Sequence, residues 1–84
     1  MNKPKINPVD RHVGMRLRII RNSQNKTLEE IAAKLKITPK TLNDLESGKK
    51  RVTPAEMEII VEIFSTTVSF FFIGIGNHLD KPRN

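Results

Sequence analysis

The chain has 84 residues, enough for one domain around one core, so a two-lobed enzyme is excluded. It contains no cysteine, which removes disulfides, thiolate metal sites and thiol nucleophiles together and leads us to expect a reducing, cytoplasmic setting. Fifteen basic against nine acidic residues give a formal net charge of +6, an attraction for nucleic acid or an anionic membrane that charge alone does not resolve.

Residues 1–8 read as an N-terminal tail without the apolar run of an export signal; its end, Asn7-Pro8, supplies a cap and a first-turn proline for the first helix. Val13, Leu17 and Ile20 give that helix one apolar face. Gly14 sits inside it, where glycine costs about 1 kcal/mol relative to alanine unless another backbone comes close, and close packing is the expectation. Thr27-Leu28-Glu29-Glu30 is a capping box opening a second helix with Ile31, Ala32 and Leu35 on its inner face. Thr38-Pro39 opens a third with Leu42 and Leu45 inward, and Gly48 stands where a left-handed residue ends it. Thr53-Pro54-Ala55-Glu56 is a further capping box, followed by Met57, Ile60, Val61 and Phe64. A weaker start near Thr67 leads into the apolar stretch Val68 to Ile75, too short to span a bilayer. The fold class is all-α, with five helices over residues 9–76 and a C-terminal tail over 77–84.

Two short helices, Thr27 to Leu35 and Thr38 to Ser47, are separated only by Lys36 and Ile37, so they cross sharply. The second is braced from behind, and its outward face shows Pro39, Lys40, Asn43 and Asp44. Lys34 to Arg51 is strongly basic and Thr53 to Phe64 carries only acidic charge, so one face is expected to be basic and another acidic. His12 and His78 are isolated, and no glycine-rich phosphate loop follows a strand; no catalytic residue, metal site or cofactor is expected.

From about Val13 to Phe72 the sequence resembles the Xre/Cro repressor family of helix-turn-helix proteins, with a lambda-repressor-like DNA-binding domain. The resemblance is carried by Gly14-Met15-Arg16-Leu17-Arg18 and Arg21, by Thr27 with Glu29-Glu30-Ile31-Ala32, and by Ile37-Thr38. Leu42, Leu45-Glu46-Ser47-Gly48-Lys49 and Val68-Ser69-Phe70-Phe71-Phe72 complete it. It implies a structural ion pair between Arg21 and Glu46, and base-edge contacts at Thr38, Pro39, Lys40, Thr41 and Asp44 with Asn43 beside them. Lys40 suits guanine acceptors, Asn43 suits adenine, and a threonine methyl suits thymine. Asp44 either accepts from the cytosine amine or holds Lys40 at helical spacing. Phosphate contacts are expected at Thr27 on one flank and at Ser47, Lys49, Lys50 and Arg51 on the other. The sequence departs from the family pattern at Leu28, commonly glutamine, at Lys36, commonly glycine at the turn, and at Val52, commonly proline.

The stretch Val68 to Ile75 holds more apolar surface than one short helix hides on so small a body, and dimerisation through Val68, Phe70 and Phe71 is the expectation. The reading that follows is a sequence-specific transcriptional regulator, bound to double-stranded DNA as a homodimer on a pseudo-palindromic operator, in the cytoplasm at the nucleoid and not at a membrane. The alternative is an antitoxin or other interaction module of the same fold, which grips a protein partner and autoregulates its operon.

Overall fold

The structure, a computed structural model, describes residues 6–75. Among these residues four α-helices follow one another, α1 (Pro8–Ser23), α2 (Leu28–Leu35), α3 (Pro39–Ser47) and α4 (Pro54–Phe64), and a 3-10 turn over Val68–Phe72 comes last. There is no strand among the described residues. The tail expected at 77–84, with His78, lies outside the described residues, as do residues 1–5 of the tail expected at 1–8; Pro8 already belongs to α1.

Every α-helix starts on an oxygen-bearing side chain that satisfies otherwise unpaired amides. Asn7 accepts from Val9 and Asp10, and Thr38 from Thr41. Thr27 with Glu30, and Thr53 with Glu56, form reciprocal capping boxes. The inner faces of the helices, from Val13 of α1 to Phe64 of α4, meet in one core with Phe71, and Leu17, Ile31, Leu42, Leu45, Ile60 and Phe71 are its largest fully buried side chains.

The fifth α-helix expected after Thr67 is replaced by the five-residue 3-10 turn. Thr67 makes no side-chain cap to the backbone; its hydroxyl lies 3.0 Å from Ser69 Oγ instead. Two donors from α1 then hold the segment down: Arg16 Nε donates to the Phe70 carbonyl at 3.1 Å, and His12 Nε2 donates to that of Ile73 at 2.6 Å. The Arg16 guanidinium also lies 4.1 Å above the Phe70 ring, whose edge meets Phe71. So short and externally tethered a segment suits the tighter helix.

Candidate nucleic-acid interface

The turn between α2 and α3 consists of Lys36, Ile37 and Thr38. Lys36 adopts the left-handed conformation, φ 60° and ψ 41°, and two amides close on the end of α2: Lys36 N–H to Ala33 O at 3.1 Å and Ile37 N–H to Ala32 O at 3.0 Å. A lysine occupies a backbone position that glycine takes at less cost, and its exposed side chain finds room in solvent. Gly48 ends α3 in the same way at φ 83°.

These two stops fix the length of α3, and three contacts fix its attitude. Leu42 and Leu45 are fully buried against the core. Gly14 brings α1 so close that a methyl group there would collide with the carbonyl oxygens of Leu45 and Glu46. Finally, the Arg21 guanidinium engages Glu46 with two donors, Nε to Oε2 at 2.6 Å and Nη2 to Oε1 at 3.0 Å, and its Nη1 donates to the Lys26 carbonyl at 2.8 Å. Arg21 is 9 % and Glu46 3 % exposed, so this fork joins α1 to α3 away from water. Hydrogen bonding to Glu46, above all, raises the affinity of Arg21 for its proton, outweighing the opposing effect of burial. Arg18 adds a longer bond to Glu46 at 3.3 Å from a half-exposed position.

The front of α3 faces outward. Thr38, Pro39, Lys40 and Asn43 are exposed, while Thr41 and Asp44 are half-buried at its margin. The Thr38 hydroxyl is engaged in the cap, accepting from the Thr41 amide at 3.1 Å and donating to Thr41 Oγ1 at 2.9 Å. The Thr41 hydroxyl proton is then the one directed elsewhere. Lys40 Nζ reaches Asp44 Oδ2 at 3.3 Å, one helical turn on, while its side chain stays 84 % exposed. The Lys40–Asp44 pair is thus formed in the free protein, on the outward margin of α3.

On the flanks, Ser47 is half-buried with its hydroxyl on the Asp44 carbonyl, and Lys49 and Lys50 are exposed. Arg51 is also exposed and bonded to Asp10 of α1. Thr27 is exposed, but its amide donates to Glu30 and its oxygen accepts from Glu30 N–H. The capping box therefore leaves the Leu28 and Glu29 amides as the open donors of that helix start, a consequence readable from the Thr-x-x-Glu spacing itself. The contacts of Asp10 with Arg51, of Arg18 with Glu46 and of the Lys26 carbonyl with Arg21 are not expected from sequence, since the partners lie on other elements or the contact is made by a backbone atom.

At the far end, Val68 is exposed and Phe70 half-buried, but Phe71 is 0 % exposed. The expectation of Phe71 at a dimer face is thus corrected: its ring is part of the core, and Phe72 and Ile73 are the exposed aromatic and aliphatic side chains beside Val68. Among the described residues no cluster of acidic or histidine side chains has metal-binding geometry, and no helix is long and apolar enough to cross a membrane.

This arrangement has known counterparts. Residues 17–71 match the family described as Helix-turn-helix. Two uncharacterised HTH-type transcriptional regulators, from Sinorhizobium medicae and Rhizobium meliloti, are each 38 % identical over 71 residues, 84 % of this chain. The chain spans about half the length, 51 %, of these curated relatives. Among solved structures, the clp gene regulator ClgR from Corynebacterium glutamicum superposes with a TM-score of 0.74 at 25 % identity, over 84 % of this chain and 91 % of that one. A mutant of the restriction-modification controller protein C.Esp1396I superposes with a TM-score of 0.69 at 21 % identity, over 88 % and 97 % of the two chains, a likeness of fold. With α2 and α3 set across a three-residue turn and this match over most of its length, the chain belongs to the helix-turn-helix family.

Proposed function

We propose that the protein is a sequence-specific DNA-binding regulator that lays α3 in the major groove and acts as a homodimer on a pseudo-palindromic operator at the nucleoid. The observation that carries this reading is the asymmetry of α3: its back is locked to α1 by the buried Arg21–Glu46 fork, and its front presents Lys40 and Asn43 to solvent. A rod held this way reaches base edges without first being ordered, so little conformational freedom is lost on binding. Lys40 and Asn43 are the base readers in this proposal, with Thr38, Pro39 and Thr41 packing on the groove and Asp44 orienting Lys40. Lys49, Lys50 and Arg51 take phosphates on one flank and the start of α2 takes them on the other.

The dimer is supported by Val68, Phe72 and Ile73, apolar side chains left exposed on one short segment beside Phe70. A self-complementary patch closes with twofold symmetry and sets two copies of α3 about 34 Å apart, one turn of duplex. Lys40→Ala is expected to relax preference at one base pair by about 1–3 kcal/mol, whereas Lys50→Ala weakens all duplexes alike and flattens the salt dependence. Fluorescence anisotropy against matched and mismatched duplexes at several salt concentrations separates the two. Equal loss for every duplex in both variants would refute this division of labour.

A further inference from the structure

We propose that Asp10 is a positioning residue for the phosphate contact assigned above to Arg51; the inference rests on that reading of Arg51. The two residues lie on different elements, Asp10 in the first turn of α1 and Arg51 between α3 and α4. Arg51 Nε lies 3.0 Å from Asp10 Oδ1 and 3.3 Å from Oδ2, so one N–H is shared by both oxygens. The Nη1 and Nη2 groups stay outside the pair, and they form an edge that takes a phosphate in two parallel bonds. The Asp10 side chain is 14 % exposed and that of Arg51 70 %, so the anchor is sheltered and the cationic head stands in water.

The anchor is also stiff. Asn7 Oδ1 accepts from the Val9 and Asp10 amides, which fixes the turn on which Asp10 sits. The same helix is locked to α3 at Gly14 and through the Arg21–Glu46 fork, and Gly48 at the end of α3 lies against the Arg11 backbone. Asp10 therefore fixes the Arg51 head relative to the recognition helix and not merely relative to its own loop. Lys49 and Lys50 form no ion pair among the described residues; they supply charge, and Arg51 supplies charge at a set place.

Simple electrostatics predicts the opposite of this proposal, because neutralising Asp10 makes the protein more positive and on that ground should tighten DNA binding. The test is anisotropy titration of wild type, Asp10→Asn, Asp10→Glu, Arg51→Ala and the Asp10→Asn/Arg51→Ala double variant. The probe is one duplex selected from a random pool, used at several salt concentrations. Positioning predicts that Asp10→Asn binds about three- to fivefold more weakly, the scale of an exposed ion pair, that Asp10→Glu recovers part of the loss, and that the double variant is no weaker than Arg51→Ala. It also predicts that the slope of log K against log salt for Asp10→Asn falls towards that of Arg51→Ala, by up to about 0.9. Tighter or unchanged binding by Asp10→Asn overturns the proposal, and so does a loss that persists in the Arg51→Ala background. Lys50→Ala is the control. If it and Arg51→Ala weaken binding while Asp10→Asn does not, only the role of Asp10 fails; if neither weakens it, the phosphate flank itself fails and takes this inference with it.

Discussion

Removing Glu46 is expected to be the most damaging single truncation of a polar side chain in this domain. Glu46→Ala leaves Arg21 with one of its partners, the Lys26 carbonyl, and strands the remaining donors of a side chain only 9 % exposed. Breaking a buried pair from one side costs about 3–5 kcal/mol, because the surviving charge is neither paired nor hydrated. A domain of this length has about 4–13 kcal/mol in total, so the loss is a large part of it and lowers Tm by roughly 12–40 °C. Arg18, half-exposed and 3.3 Å from the same carboxylate, turns to water when Glu46 goes and contributes little. Urea unfolding followed by far-ultraviolet circular dichroism measures the difference, with Arg18→Ala expected to cost under about 1 kcal/mol. The double variant Arg21→Met/Glu46→Leu, which replaces the pair by apolar groups, should recover most of the stability. A cost for Glu46→Ala below about 1 kcal/mol would refute the reasoning, since it would mean that the pair is hydrated in solution.

Gly14→Ala pushes a methyl group onto the carbonyls of Leu45 and Glu46 and should cost at least about 1–3 kcal/mol while also weakening DNA binding, as seen by thermal melting and by titration. Lys36→Gly relieves an L-residue at φ 60° and, after the entropy of glycine is subtracted, should stabilise by roughly 0.5–1 kcal/mol; a lowered Tm would contradict the turn geometry. Glu30 is held below the ordinary glutamate range, first by its bond to the Thr27 amide. A depressed carboxyl stabilises the fold above its unfolded value and loses that contribution as pH falls through the folded one. The acid side of a Tm–pH curve should therefore be flatter in Glu30→Gln than in wild type, and identical curves would count against the capping box.

The helix starts were legible because their signal is local: an oxygen-bearing cap, a proline or a glutamate at fixed offset, then apolar residues every three or four. The same locality explains Gly48 and the inner faces of α2 and α3. Gly14 was legible for the opposite reason, since a glycine inside a helix is unfavourable unless something approaches it. The final segment departs from the α-helix its sequence predicts because its form depends on Arg16 and His12, donors from the other end of the chain that no local pattern announces. Phe71 is buried where the sequence predicts a surface position for the same reason: a run of three phenylalanines does not reveal which ring turns inward once the helix period is lost. At the interface, the Arg21–Glu46 fork came from family resemblance, whereas Asp10 escaped because its partner is 41 residues away.

The central claim is that the exposed front of α3 reads bases through the major groove, and guanine N7 methylation interference on a selected duplex tests it most directly. Two clusters of interfering guanines should appear, related by twofold symmetry and centred about one helical turn apart, with one position losing its sensitivity in Lys40→Ala. Binding that survives N7 methylation throughout the site, in wild type and variant alike, would contradict the account.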